Sequence, residues 1–236
     1  MTTLRIDVWS DVVCPWCYIG KRRLETALGR FEHADEVEVH WHSFQLDPAH
    51  PRGDRRPVLD ALARKTGAPP AQVRAMIRQV TELAAAEGLR YDLERAVAVN
   101  TVDAHRLSHL AEAHGLGAEM HERLLRAHLG EGETVDDPDT LVRLGGEVGV
   151  PEDEIRRTLA GDAYRAAVAA DVREARRYGA TGVPFFVLDR TYGLSGAQSA
   201  DTFLSALRTA RAGAAGGGAA LTGARRARTV RSWCAG

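Results

Sequence analysis

The chain has 236 residues, of which 44% are hydrophobic and 27% are charged, a composition typical of soluble globular proteins. Its 31 basic side chains nearly balance its 32 acidic ones, which does not favour binding to nucleic acid or to a membrane surface. Three cysteines are too few for a structural disulfide framework. The first residues lack the basic and apolar pattern of a secretory signal, so we expect a cytoplasmic protein.

The first part of the chain has the pattern of a βαβ unit. Residues 4–9 alternate apolar and polar side chains and predict a strand. Residues 11–20 enter a helix whose apolar positions continue to Phe31. Residues 37–44 predict a second strand. Because a helix connects the two strands, we expect them to be parallel, with a right-handed crossover.

The central part of the chain shows no strand pattern between residues 56 and 178. Glycine and proline divide it into predicted helices at residues 57–66, 70–87, 101–114, 118–129, 138–148, 151–159 and 162–178. Asp137, Pro151 and Asp162 are suited to begin three of them. We therefore predict that residues 56–178 form an all-helical insertion domain.

The last part returns to strands. Residues 181–189 and 192–194 predict a hairpin with a turn at Asp189-Arg190, and residues 199–211 predict a helix. The predicted fold class is α/β: residues 1–55 and 179–212 form a discontinuous domain, and residues 56–178 interrupt it. Residues 213–236 are predicted to be a tail rich in Gly, Ala and Arg. Its Cys234 is expected to be inert, with pairing to another thiol as the alternative.

Cys14 and Cys17 stand where the first strand gives way to the first helix. The unpaired N–H groups and the dipole at a helix N-terminus favour a thiolate, which is the nucleophile in disulfide exchange. Pro15 fits the first helical turn. Cys17 follows by about one turn on the same side, so it can attack a mixed disulfide at Cys14. This spacing predicts thiol chemistry.

Two other interpretations of the cysteine pair stay open, a zinc site and two buried structural cysteines. Zinc needs four ligands, and the candidates to complete a site are His40, His42 and the distant Cys234. A Cys-x-x-Cys beside a βαβ pattern is typical of a thioredoxin-like redox motif, so we predict no metal. At Pro184, the residues alone do not favour a cis bond, because only about 5–6% of X–Pro bonds are cis.

Together these elements resemble the DsbA-like thioredoxin superfamily, and more closely its FrnE-like branch of disulfide oxidoreductases. The resemblance covers residues 4–211. The motifs that carry it are Asp11 with Cys14-Pro15-Trp16-Cys17-Tyr18-Ile19-Gly20, Phe44-Gln45-Leu46-Asp47-Pro48, Asn100-Thr101 with Asp103-Ala104-His105-Arg106-Leu107, Thr181-Gly182-Val183-Pro184-Phe185-Phe186, and Ser195-Gly196-Ala197-Gln198. The resemblance implies a thioredoxin-like fold interrupted by the helical insertion.

The resemblance also implies roles for individual residues. Cys14 would be the exposed nucleophile, Cys17 the resolving thiol, and Pro184 a cis residue lying against the pair. The backbone of Val183 would bind a thiol-bearing substrate. Trp16 replaces the histidine of strongly oxidising periplasmic members and cannot stabilise a thiolate comparably, so we expect a more reducing couple. We also name Trp16 as a candidate substrate contact.

The implied partners are thiol- or disulfide-bearing proteins or small molecules, handled by a monomer or homodimer without a tightly bound cofactor. The rival function is that of the related glutathione-dependent 2-hydroxychromene-2-carboxylate isomerases, which need no second cysteine. In those enzymes the region of Asn100 and His105 lines the cleft, so both are candidate substrate-binding residues. Helix capping by Asn100 or Thr101 and a surface position for His105 are the alternative. His109, four residues after His105 on the same predicted helix, could form a ligand pair with it, but we expect a solvated face. Glutathione as co-substrate and a non-catalytic peptide- or thiol-binding module also stay open.

Overall fold

The computed structural model describes residues 3–215, with six strands and nine α-helices in that range. The strands are β1 (Leu4–Ser10), β2 (Val37–Ser43), β3 (Arg56–Pro57), β4 (Val97–Ala98), β5 (Phe185–Leu188) and β6 (Tyr192–Ser195). The helices are α1 (Pro15–Leu28), α2 (Val58–Thr66), α3 (Pro70–Ala86), α4 (Val102–Ala113), α5 (Gly117–Gly130), α6 (Pro138–Val148), α7 (Glu152–Ala160), α8 (Arg165–Arg177) and α9 (Ala200–Ala215).

Four strands form the main sheet, in the order β2-β1-β5-β6. β1 and β2 are parallel, with Leu4 opposite Val37, which confirms the predicted βαβ unit. β5 runs antiparallel to β1, and β6 runs antiparallel to β5. The predicted turn between β5 and β6 is also present, with positive φ angles at Asp189 (48°) and Arg190 (53°). Two successive positive φ angles match the twist of a tight hairpin.

Both faces of this sheet are covered. Alternate residues of a strand point to opposite faces. β5 is apolar on both faces, whereas β1 is apolar on the face of Leu4, Ile6 and Val8 and carries Arg5, Asp7 and Trp9 on the other. One face packs against α1 and α9, through residues that include Val8, Phe186 and Phe203. The other packs against residues of α3 and α8, and its cluster includes Trp9 and Val187. The predicted α/β class is confirmed.

A second apolar core lies among α4, α5, α6 and α7. Val12, which precedes Cys14 by two residues, is fully buried in this core. The loop that leads into α1 is therefore anchored in the helices between β2 and β5. None of the helices within residues 3–215 is long and apolar enough to cross a membrane.

The structure differs from the predictions at several element boundaries. Residues 56–178 are not all helical, because β3 and β4 pair over two residues each, too short to leave a strand pattern. β5 begins at Phe185 rather than at residue 181. α8 begins at Arg165, not Asp162, because Tyr164 takes a left-handed conformation before it. Asp137 caps α6 as predicted by accepting the backbone N–H of Thr140.

The predicted tail is only partly described. α9 continues to Ala215, four residues past its predicted end. The predictions for the remaining tail residues, Cys234 among them, fall outside the described residues.

Candidate active site

The two cysteines lie at the start of α1, as predicted. Cys14 occupies the N-cap position in an extended conformation, and Pro15 is the first helical residue. The turn is closed by two backbone hydrogen bonds of 3.0 Å, from Cys14 N–H to the Asp11 carbonyl and from Cys17 N–H to the Cys14 carbonyl. Both cysteines are in the reduced, thiol form here. The N-cap position places Cys14 at the positive end of the helix dipole.

Both thiols are buried, which corrects the expectation of an exposed Cys14. Cys14 has 0% and Cys17 has 1% of its surface accessible to solvent. The reason is that both cysteines join the apolar cluster on one face of the sheet. Trp16, between them, remains partly exposed and packs against the same cluster. An external group therefore cannot touch Cys14 until a covering group moves.

The loop before β5 lies directly against Cys14. The Cys14 thiol donates to the backbone carbonyl of Val183, with 3.7 Å between Sγ and O. The Val183–Pro184 peptide bond is cis, in agreement with what the family resemblance implies. Pro184 also approaches α1 at Gly20, where an ideal Cβ would lie 3.1 Å from Pro184 Cγ. Gly20 therefore lets the loop pack closely on the helix that carries the thiols.

Asp11 fixes the loop that precedes the thiols. Its buried carboxylate accepts the backbone N–H of Leu46 at 2.8 Å, and its other oxygen lies 3.2 Å from His105 Nε2. His105 is also buried. It is thus not a surface histidine, which corrects that alternative, whereas its role in binding substrate stays a prediction. Its side chain contacts the thiol loop through Asp11.

The Asn100 side chain joins the start of α4 to the loop after β2 by hydrogen bonds. Its Oδ1 accepts the backbone N–H of Val102 at 3.0 Å, and its Nδ2 donates to the His50 carbonyl at 2.7 Å. The first bond closes a turn one residue before the helix N-cap, which is Thr101 and makes no side-chain capping bond of its own. The side chain is buried and bonded to protein, so the expected contact with substrate is not supported.

A charged cluster that sequence reasoning missed lies beside β1 and β2. His42 Nε2 is 2.7 Å from Asp7, and its Nδ1 is 3.3 Å from Asp171 of α8. Burial lowers the pKa of His42, but hydrogen bonds to the two carboxylates outweigh burial and raise this pKa to about 9. His109 Nε2 also lies 3.0 Å from Asp171, so it is not on a solvated face. Within residues 3–215, no group of three or more His, Cys, Asp or Glu side chains is arranged to hold a metal ion.

Tyr91 was also missed by sequence reasoning. It belongs to the segment between α3 and β4, and its hydroxyl donates to the backbone carbonyl of Pro15 at 2.6 Å. Its ring stacks on that of Tyr18, with centroids 6.3 Å apart. The two partners are separated by 76 positions in sequence, and no local pattern marks such a contact.

Comparisons with known proteins agree with this architecture. A probable DsbA oxidoreductase from Streptomyces coelicolor is 44% identical and superimposes with a TM-score of 0.86, over 89% of this chain and 90% of its own. A 2-hydroxychromene-2-carboxylate isomerase is 16% identical with a TM-score of 0.67, over 91% of this chain and 100% of its own. The cytosolic disulfide reductase DsbM from Pseudomonas aeruginosa, solved with GSH, is 24% identical with a TM-score of 0.58, over 90% and 98%.

The last two likenesses are at low identity and show a shared fold. The family assignment rests on stronger similarity. Residues 5–208 match the family described as the DSBA-like thioredoxin domain. That match spans both sequence segments of the main sheet and all the helices between them. This chain therefore belongs to the family of DsbA-like thioredoxin domains.

Proposed function

We propose that the chain is a thiol–disulfide oxidoreductase that works through Cys14 and Cys17. The observation that carries this proposal is the placement of both thiols in the first turn of α1, with Cys14 Sγ 3.7 Å from the Val183 carbonyl. The N-terminus of a helix favours the thiolate at Cys14. A second thiol one turn along the helix then gives the mixed disulfide a way to resolve.

The proposed reaction transfers two electrons between the thiol pair and a substrate. In the reducing direction, the Cys14 thiolate attacks a substrate disulfide, forms a Cys14–substrate disulfide and releases one substrate thiolate. The Cys17 thiolate then attacks Cys14 Sγ, forms the Cys14–Cys17 disulfide and releases the second substrate thiolate. Each released thiolate takes up a proton. The oxidising direction is the reverse of these steps.

The substrate would bind where Cys14 meets the loop before β5. The Val183 backbone offers strand-like hydrogen bonds to an extended peptide or a small thiol, and Pro184 shapes this loop. Partly exposed Trp16 is the proposed apolar contact beside the thiols. Asn100 and His105 are assigned supporting roles instead, because their side chains bond to the protein.

Glutathione is the proposed small-molecule co-substrate, and the cytoplasm the proposed location. Both draw support from the similarity in fold to DsbM, a cytosolic disulfide reductase whose structure was solved with GSH. The substitution of tryptophan for histidine at position 16 favours the reducing direction under those conditions. No tightly bound cofactor is part of the proposal.

The test is reduction of a protein disulfide, such as insulin, with glutathione as electron donor. All variants carry Cys234→Ser, which removes the third thiol and serves as the matched control. We expect this control to be active, Cys14→Ser to be silent, and Cys17→Ser to accumulate a mixed disulfide at Cys14 that mass spectrometry detects. Equal background turnover by the control and by Cys14→Ser would contradict the proposal.

The same variants separate the rival function. The similarity in fold to a 2-hydroxychromene-2-carboxylate isomerase favours it as the second candidate. Such an enzyme activates glutathione without a resolving cysteine. Full activity of Cys17→Ser in a glutathione-dependent isomerisation, with no insulin reduction by the control, would support the isomerase.

A further inference from the structure

The segment of residues 87–96, between α3 and β4, lies against the turn that carries the thiols. Tyr91, in its middle, donates its hydroxyl to the carbonyl of Pro15, a residue located between the two cysteines. The ring of Tyr91 also stacks on Tyr18, the residue after Cys17, at an interplanar angle of 21°. The segment thus covers the first turn of α1 with one aromatic ring and one hydrogen bond.

The residues around Tyr91 are anchored by apolar packing, a backbone hydrogen bond and an ion pair. Leu89 and Leu93 are buried in the apolar cluster on either side of it. The backbone N–H of Asp92 donates to the Leu129 carbonyl of α5 at 2.7 Å. Glu87 pairs with Arg23 of α1 at 2.6 Å, between one and two turns beyond Cys17. At the thiol end, the polar contact between this segment and α1 is the Tyr91–Pro15 hydrogen bond.

Tyr91 packs against the apolar cluster that contains both sulfurs. Burial raises the pKa of Tyr91, and the charges that Cys14 and Cys17 would carry raise it further. The group therefore stays a neutral hydroxyl and a hydrogen-bond donor throughout the physiological pH range. On the opposite side, Cys14 contacts the Val183 carbonyl. Val183 and Tyr91 both pack in the apolar cluster that contains the two thiols, and neither thiol is more than 1% exposed to solvent.

We propose that residues 87–96 form a gate over the thiol pair, and that the Tyr91–Pro15 hydrogen bond is the latch that keeps it closed. A substrate sulfur reaches Cys14 only when this bond opens and the ring of Tyr91 moves aside. Tyr91 is thereby a positioning residue that controls access. The inference rests on the proposed function only in that the gate admits a disulfide substrate. The closing of the gate itself can be tested without disulfide exchange, because access to Cys14 is measurable directly.

The experiment measures alkylation of Cys14 by iodoacetamide in the folded, reduced protein. Cys17→Ser and Cys234→Ser leave Cys14 as the single thiol. In this background, Tyr91→Phe keeps the ring and removes the latch. One neutral hydrogen bond shifts an opening equilibrium by about two- to tenfold, so we expect alkylation to accelerate by that factor. Tyr91→Ala, which also removes the ring, should accelerate it more.

Tyr178→Phe is the matched control. Tyr178 is partly buried in the same apolar cluster, with its ring 5.5 Å from that of Trp9. Its hydroxyl makes no hydrogen bond to any residue in the described part of the chain. The same loss of one hydroxyl should therefore leave the alkylation rate within twofold of the parent rate.

The pH profile of alkylation separates access from ionisation of Cys14. Opening the gate raises the plateau rate at high pH, where the thiol is fully ionised, and leaves the midpoint unchanged. The alkylation rate should also depend only weakly on urea at low concentrations. Local opening depends weakly on urea, whereas global unfolding depends on it strongly.

Three results would overturn the gate: an unchanged plateau in Tyr91→Phe, a shifted midpoint at a constant plateau, or acceleration by Trp16→Ala but not by Tyr91→Ala. Failure of insulin reduction in the active-site test, with faster alkylation of Tyr91→Phe, would overturn the proposed function and keep the gate.

Discussion

Gly20 offers a direct test of how closely α1 packs on the loop before β5. An ideal Cβ at this position would lie 3.1 Å from Pro184 Cγ and 3.2 Å from Phe186 Cζ. Ordinary carbon–carbon contacts are about 3.5–4.0 Å, so a methyl group must displace one of these rings. Phe186 is fully buried in the core. Gly20→Ala should therefore push Pro184 away from the helix that carries the thiols.

Two effects decide the stability of Gly20→Ala. Alanine is favoured over glycine inside a helix by about 1 kcal/mol. Overpacking of a tight core costs about 1–3 kcal/mol, and both neighbouring groups here are rigid rings. The expected net change is a loss of about 1 kcal/mol, which lowers Tm by about 2–4 °C in a protein of this size. Insulin reduction should also fall, because Pro184 shifts relative to Cys14.

Gly29→Ala is the control for the intrinsic effect of the methyl group. Gly29 follows the same helix with φ −62° and ψ −13°, which alanine adopts readily. Its ideal Cβ would lie 3.6 Å from the nearest atom, the Glu25 carbonyl oxygen. We expect a gain of about 0.4–1 kcal/mol and unchanged activity. If urea unfolding shows Gly20→Ala to be as stable as Gly29→Ala, with full activity, then the close approach of Pro184 does not constrain position 20.

Two further predictions concern charge. The pKa of His42 is raised to about 9, so its stabilising effect is complete below its unfolded pKa of about 6.5 and is lost as pH rises through 9. In urea unfolding, the free energy of unfolding should fall by up to about 3 kcal/mol between about pH 6.5 and pH 9, and this fall should be absent in His42→Gln. If the free energy of unfolding depends on pH in the same way in both proteins, the pairing with Asp7 and Asp171 is contradicted. Trp16→His should stabilise the Cys14 thiolate and make the couple more oxidising by about 30 mV against glutathione, with Trp16→Phe as the neutral control. An unchanged potential in Trp16→His would refute the role assigned to position 16.

The predictable parts of the fold are those with a local cause. The alternation of residues 4–9 and 37–44 places β1 and β2, and the helix between them makes the pair parallel. Pro15 marks the first turn of α1, and Asp137 caps α6 through its own side chain. Each of these signals acts within a few residues, so a short stretch of sequence is enough to recognise it. The cis bond at Pro184 needed the family resemblance, because base rates favour trans.

The contacts around the thiols have no local cause. Val183 meets Cys14 across 169 positions, and His105 meets Asp11 across 94. Neither the burial of Cys14 nor the partners of His42 leaves a periodic pattern in the sequence. One local signal was available, namely Gly20 inside a helix, where glycine is unfavourable unless something packs closely against it.

The helices between β2 and β5 hold the thiol turn from two directions. Asp11 joins it to α4 through His105, and the Asp11 carbonyl accepts the N–H of Cys14 itself. Tyr91 joins it to residues 87–96 through the Pro15 carbonyl. A displacement of α4 is thus transmitted to the backbone of Cys14, whereas a displacement of residues 87–96 alters the cover over its sulfur. Under the proposed mechanism, the helical segment therefore sets both the position of the nucleophile and access to it.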